Sequence, residues 1–160
     1  MSSKETVSSP PCACGRLRRA TRALTQLYDD LMAPSGLRVT QFSLLRTLAR
    51  NGTSRVSDLA EALLLDRTAL TRTLDPLVER KLVAIAPGRD ARTREVSLTP
   101  SGERALREAT THWKRAQSRV AGTLGEDKLQ ALIGILGEIE ALHPDPGGRH
   151  RLSTVGKVTP

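Results

Sequence analysis

The chain has only two cysteines in 160 residues, Cys12 and Cys14, and both sit in one Cys-x-Cys. That spacing excludes a disulfide framework, so stability has to come from packing. Aromatic residues are nearly as scarce: Tyr28, Phe42 and Trp113 are the whole set. Three rings offer few platforms for stacking unpaired bases, which argues against single-stranded RNA as a partner. No uninterrupted apolar run approaches the length of a bilayer span, and the opening "MSSKETVSSPP" lacks the apolar centre of a secretory signal. The expectation is a cytoplasmic protein with no membrane role. Histidine is limited to His112, His143 and His150, and no Ser/His/Asp, HExxH or phosphate-loop spacing accompanies them. All three are read as non-catalytic, and the chain as a non-enzyme that needs no cofactor or metal.

What the chain does have is positive charge: 25 Lys and Arg against 17 Asp and Glu, a formal net charge of +8. Such a balance favours polyanionic partners such as nucleic acid or an anionic membrane surface, and charge alone does not choose between them. The length suits one domain with a core, flanked by polar tails at residues 1–11 and 143–160 that read as disordered.

Between the tails the apolar pattern is helical at both ends. Cys14, Leu17, Ala20, Leu24, Leu27 and Leu31 recur at spacings of three and four over residues 12–33, with Arg16, Arg18, Arg19 and Arg22 on the opposite faces. "APSGL" breaks that helix, and a second one, near residues 40–49, puts Gln41, Leu44, Leu45 and Leu48 on one side before "RNGTS" ends it. After the central segment, Thr99 caps a long helix that starts at Pro100 and runs to about Leu124, with Leu106, Ala109, Trp113, Ala116, Val120 and Leu124 at heptad-like spacing. A last helix, about residues 126–142, repeats the pattern through Leu129, Leu132, Ile133, Leu136 and Ile139. A monomer could not easily cover such long stripes, so the terminal helices predict a dimer.

The middle of the chain carries the chemistry. In "RVSDLAEALLLDRTALTRTLDPLVERKL", Ser57 is an expected N-cap for a short helix burying Leu59, Ala60 and Leu63, and Asp66 for a second helix after a tight turn. Two helices joined this closely form a helix-turn-helix candidate. In the second, Leu70, Leu74, Leu77 and Val78 share one face, while Arg67, Thr68, Thr71, Arg72 and Asp75 share the other. Pro76 predicts a bend or an early loosening there, because it donates no bond to the carbonyl of Arg72.

A major groove admits one helix, and arginine can pair two-pronged with guanine while threonine approaches a thymine methyl or a phosphate. Thr68, Thr71 and Arg72 are therefore the expected base contacts, with Arg67 meeting phosphate from the positive helix N-terminus. Beyond Leu82 the period changes from 3.6 to 2. "LVAIA" and "EVSLT" flank "PGRDARTR", a two-stranded hairpin with Arg89, Arg92 and Arg94 at its tip. Arginines on a thin projecting loop can lie along the backbone or enter a narrow minor groove.

"DRTALTRTLDPLVERKLVAIAPGRDARTREVSLTPSGERAL" resembles the winged helix-turn-helix core of the MarR family of bacterial transcription regulators. The matching signature is Asp90-x-Arg92 in the wing, followed by Leu98, Thr99 and Gly102. The resemblance implies a mainly α fold with a small β-hairpin wing: a domain over residues 12–142, its winged helix-turn-helix at about 37–98, and dimerisation helices at about 12–33 and 100–142. It implies that Arg92 reaches the minor groove and Asp90 holds the wing's shape. It also implies a homodimer on a palindromic operator in double-stranded DNA, and a repressor released by a small molecule or an oxidant.

Cys14 continues the apolar stripe and is expected to be a small buried residue, whereas Cys12 lies off it near a helix N-terminus, where a thiolate is favoured. The pair is a candidate redox or soft-metal switch, or effector site; as metal ligands, two thiolates underfill a tetrahedral shell unless the dimer or a histidine adds ligands. The competing reading of the whole chain is a winged-helix interaction module that turns its basic wing on an acidic protein and reads no sequence.

Overall fold

Residues 11–90 and 92–143 are described by the computed structural model. The tails read at residues 1–11 and 143–160, His150 among them, lie outside the described residues except for Pro11 and His143. The chain divides after Ser118 into two compact units.

The first unit opens with α1 (Ala13–Met32), which continues into a single 3-10 turn at Ala33–Ser35. Gly36 ends that turn in the left-handed region, at φ 67°. Helix α2 (Val39–Asn51) follows. Its free first-turn donors are met from two directions: Asp29 on α1 accepts from the Val39 N–H at 2.8 Å, and Gln41 Oε1 accepts from the Arg38 N–H at 3.1 Å. Satisfying such orphan donors fixes where one helix ends and the next begins. Arg80 reaches the same corner, donating to the Gly36 carbonyl at 2.7 Å.

Strand β1 (Ser54–Arg55), helices α3 (Val56–Ala62) and α4 (Arg67–Glu79), strands β2 (Val83–Pro87) and β3 (Arg94–Leu98), and the long helix α5 (Pro100–Leu124) complete the order up to α6 (Glu126–Glu140). The sheet has three antiparallel strands in the order β1-β3-β2, not the two of the expected hairpin. β1 pairs Ser54 with Val96 and Arg55 with Glu95; β2 pairs Val83 with Leu98 through to Pro87 with Arg94.

Buried leucines supply most of the core, as the helical spacing required. Leu44, Leu45 and Leu48 from α2, Leu59 from α3, and Leu70, Leu74 and Leu77 from α4 join Met32, Phe42, Val83, Val96 and Ala109 in one cluster. Each large side chain of this kind contributes about 1.5–3 kcal/mol on burial. Trp113 on α5 stacks on Phe42 with ring centroids 5.7 Å apart, and the Arg46 guanidinium lies 4.7 Å from the Trp113 centroid. The Tyr28 hydroxyl donates to Gln117, and burial pushes its pKa upward, so it remains a protonated donor.

Two local expectations are corrected, and one of the two alternatives at Pro76 is removed. Arg55, not Ser57, is the N-cap of α3, and the Ser57 hydroxyl donates to Asp58 instead. Val78 is 36% exposed, outside the packing face of Leu70, Leu74 and Leu77. Pro76 does not loosen α4 early: the helix runs on to Glu79. Arg72, whose carbonyl loses its donor, lies on the exposed side, where water can replace the missing bond.

The helix then closes with the Leu82 N–H donating to the Leu77 carbonyl and the Lys81 N–H to that of Val78. This is a Schellman closure, but the left-handed position that glycine usually takes is held by Lys81, at φ 57°. Lys81 is exposed, so removing its side chain loses no packing. Lys81→Gly is expected to relieve the left-handed strain and raise stability by about 1 kcal/mol after the entropy of the freer unfolded chain is counted. Urea denaturation followed by circular dichroism checks this; a lower midpoint would contradict it.

In the second unit, α6 is amphipathic but leaves large apolar side chains in the open. Ile133 is 50% exposed and Ile135 53%, and Leu142, two residues beyond the helix, is 79% exposed. No helix among the described residues is long and apolar enough to cross a membrane.

Candidate nucleic-acid interface

The interface candidate begins with a cap. Asp66 has extended backbone angles and its carboxylate accepts from the Ala69 N–H at 2.8 Å, which starts α4 immediately after the turn that closes α3. That turn is itself a Schellman closure: the Leu65 N–H donates to the Ala60 carbonyl and the Leu64 N–H to that of Glu61, with Leu64 at φ 50°. Helix, tight turn and capped helix are the helix-turn-helix the sequence implied.

With Leu70, Leu74 and Leu77 facing inward, the helical period puts Thr68, Thr71, Arg72 and Asp75 on the other side, and these four are exposed; Arg67, three residues before Leu70, falls beside the leucines on the wheel but is exposed at the first position of the helix. The Thr71 hydroxyl donates to the Arg67 carbonyl at 2.8 Å, leaving its oxygen and methyl group outward on a fixed rotamer. Arg67 and Arg72 take part in no ion pair among the described residues, where Glu103 with Arg107 is the one pair formed.

The wing turns on Asp90. Its side chain accepts from the Arg92 N–H at 3.0 Å, and its carbonyl accepts from both the N–H and the hydroxyl of Thr93, at 2.8 and 2.7 Å. The Gly88 N–H donates to the Thr93 carbonyl at 2.9 Å and closes the loop between β2 and β3. A carboxylate folded back onto its own loop is the short-range bonding that aspartate favours in turns. Arg89, Arg92 and Arg94 are all exposed on the frame so made. The structure thus gathers the predicted residues into two groups, one on α4 and one on the wing.

Sequence reasoning missed Arg55. It is exposed in β1 and stands opposite Glu95 of the wing strand, adding a cation to the sheet that carries the wing. A two-residue strand has no periodicity to read, so only its chain neighbour Val56, which opens α3, gave any signal.

Cys12 and Cys14 are both free and both exposed. The expected burial of Cys14 is therefore corrected. The apolar stripe of α1 continues toward its N-terminus past the point where this chain's core ends, and Leu17 is only half-buried there. Cys12 occupies the N-cap position without a side-chain bond to the helix. No group of three or more His, Cys, Asp or Glu residues fit to hold a metal ion occurs among the described residues.

A capped second helix with a polar, cationic outer face, followed by a basic wing on a small antiparallel sheet, defines a winged helix-turn-helix protein. The model of the MarR family matches residues 35–93, from the end of the 3-10 turn to the tip of the wing. The chain is similar to the transcriptional regulator MOSR of M. tuberculosis, solved in complex with DNA, with 38% identity and a TM-score of 0.72, covering 84% of this chain and 100% of that one. It is also similar to CouR, a transcriptional repressor solved on a 23-mer DNA duplex, with 28% identity and a TM-score of 0.73 over 80% of this chain and 92% of that one. The regulator FarR of Neisseria gonorrhoeae is 28% identical over 124 residues, 77% of this chain and 85% of FarR. The chain belongs to the MarR family: it is a DNA-binding transcription regulator and not an enzyme.

Proposed function

We propose that the protein is a dimeric repressor that reads a palindromic operator and lets go of it when a small molecule or an oxidant acts. The observation that carries this reading is the first residue and outer face of α4, where Arg67, Thr68, Thr71 and Arg72 stand exposed against three fully packed leucines. In this reading α4 enters the major groove. Thr68, Thr71 and Arg72 meet base edges, Arg67 meets phosphate, and Arg89, Arg92 and Arg94 engage the flanking backbone and the minor groove. Two copies related by a two-fold axis would place their reading helices about one helical turn of DNA apart. MOSR and CouR, each solved with DNA, support the duplex as the partner in preference to an acidic protein.

Fluorescence anisotropy with the protein's own upstream DNA, against a scrambled duplex as competitor, tests the assignment. Arg72→Ala is expected to reduce discrimination between the two duplexes by about 1–3 kcal/mol, and Arg89→Ala to lower the slope of log affinity against log salt by about 1 with discrimination kept. Equal loss on both duplexes from Arg72→Ala would remove it from base readout.

For the oxidant version of release, the candidates are Cys12 and Cys14, exposed where α1 begins. One peroxide takes two electrons and two protons from two thiols, leaving a disulfide and two waters. Peroxide is expected to weaken operator binding by the native chain and to leave a Cys12→Ser, Cys14→Ser variant unaffected. Unchanged binding by the native chain would leave a small molecule as the effector.

A further inference from the structure

One residue on the outer face of α4 has the wrong sign for a polyanionic partner. At about 100° per residue, Asp75 falls inside the arc spanned by Thr71, Thr68 and Arg72, away from the buried Leu70, Leu74 and Leu77. Glu79, the last residue of α4, falls on the same arc one turn further along. Both are exposed. Asp66 and Asp90 spend their carboxylates on backbone donors, whereas that of Asp75 has no hydrogen bond or ion pair among the described residues, where Glu103 with Arg107 is the one pair formed.

A carboxylate facing a duplex is repelled by the phosphates whatever the sequence, and docking strips away water that solvated it. Only a donor on a base edge offsets that cost. The major groove offers two, the cytosine N4 and adenine N6 amino groups, while guanine and thymine turn acceptors outward. Adenine also sets its N7 acceptor beside the amino group, against a second carboxylate oxygen. Cytosine is therefore the base that a carboxylate fits.

We infer that Asp75 is a specificity residue: it accepts from the N4 amino group of a cytosine in each half-site, and its charge weakens binding to duplexes that offer no such donor. This rests on the reading of α4 as the helix that enters the major groove, and it adds one base to what that helix reads. Arg72, one turn before it, suits guanine, so side chains of opposite charge select bases of opposite hydrogen-bonding character. Discrimination of this kind comes from the penalty on the wrong sequence as well as from attraction to the right one. Glu79 lies about 6 Å further toward the C-terminal end, away from the N-terminal part of a docked helix that reaches the bases, and contributes repulsion alone.

Full-length Asp75→Ala and Glu79→Ala delete the same charge from the same face, so comparing them separates readout from repulsion. Anisotropy titrations use the protein's own upstream duplex, a scrambled duplex, and upstream duplexes in which each C·G pair is replaced in turn by T·A and by A·T. Both variants are expected to bind the scrambled duplex roughly threefold more tightly. Glu79→Ala gains equally on the upstream duplex and keeps the ratio of the two affinities. Asp75→Ala is expected to lose at least about tenfold in that ratio, and with it the native chain's sensitivity to replacement of one C·G pair per half-site.

Equal tightening on both duplexes by Asp75→Ala, with every replacement felt as before, would overturn the cytosine contact and leave α4 in the groove. If neither Asp75→Ala nor Arg72→Ala changes either affinity, α4 does not face DNA, and the reading beneath the proposal fails with it. Asp75 is exposed and alanine favours the helix, so the thermal midpoint should not fall. Asp75→Asn, which keeps the shape and drops the charge, gives a second arm. Because asparagine pairs with adenine, this variant is expected to weaken the preference for cytosine at that position and to admit adenine; an undiminished preference for cytosine counts against the contact.

Discussion

Gly102→Ala is expected to destabilise the protein by about 3 kcal/mol and to lower its thermal midpoint by roughly 10 °C, although alanine is the better helix former by about 1 kcal/mol. The cause is contact between two pieces of backbone. A Cβ at position 102 would lie 2.0 Å from the Leu82 carbonyl oxygen, 3.0 Å from the Leu82 carbonyl carbon and 2.8 Å from a Leu98 methyl. The first turn of α5 sits this close because Thr99 fastens it there. The Thr99 hydroxyl donates to the carbonyls of Lys81 and Leu82, at 2.8 and 3.0 Å, and accepts from the Gly102 N–H at 3.0 Å.

Accommodating a methyl group means lifting α5 off the start of β2 and breaking those bonds. Gly122, further along α5, is the control: nothing lies within 4 Å of a Cβ built there. Gly122→Ala is therefore expected to stabilise. Thermal unfolding of both variants measures the difference, and a neutral Gly102→Ala would mean that the approach of α5 to Leu82 is not maintained in solution.

The Leu-Thr-x-x-Gly run that carried the family resemblance thus has a mechanical reading: threonine ties the helix to the strand and glycine permits the approach. Other parts of the molecule were legible for similarly local reasons. Asp66 announced the start of α4 because an N-cap needs only a short acceptor three residues before a free donor. The limits of α5 followed from Pro100 at its start and a stripe that holds its period to Leu124.

The failures came where the deciding partner is distant in the chain. β1 exists because Ser54 and Arg55 find Val96 and Glu95 some forty residues later. Its formation makes Arg55 the boundary residue of α3, which took the cap from Ser57. Cys14 continues a stripe that is real, but the core of this chain does not extend under it. Of the site, the composition of both residue groups could be read from periodicity. The bonds that set the wing's shape could not, because the folding of Asp90 back onto Arg92 and Thr93 depends on loop geometry that no period encodes.

That geometry separates charge from shape in the second large effect. Replacing Arg89, Arg92 and Arg94 together by alanine removes three expected phosphate or minor-groove contacts. The slope of log affinity against log salt should fall by about 2.7, and operator affinity by roughly a hundredfold at moderate salt. Taken alone, that result would suit any basic patch. Asp90→Ala tells the two apart, because it deletes a negative charge from the same loop.

If the wing acted only through its net charge, Asp90→Ala would tighten DNA binding. If instead the carboxylate holds the Arg92 backbone N–H and so aims the arginines, the variant has one unit more positive charge and binds more weakly, as a loosened loop pays ordering entropy on contact. Weaker binding with the salt slope nearly kept is the expected outcome, read by anisotropy titrations at several salt concentrations. Tighter binding would assign the wing to electrostatics without shape.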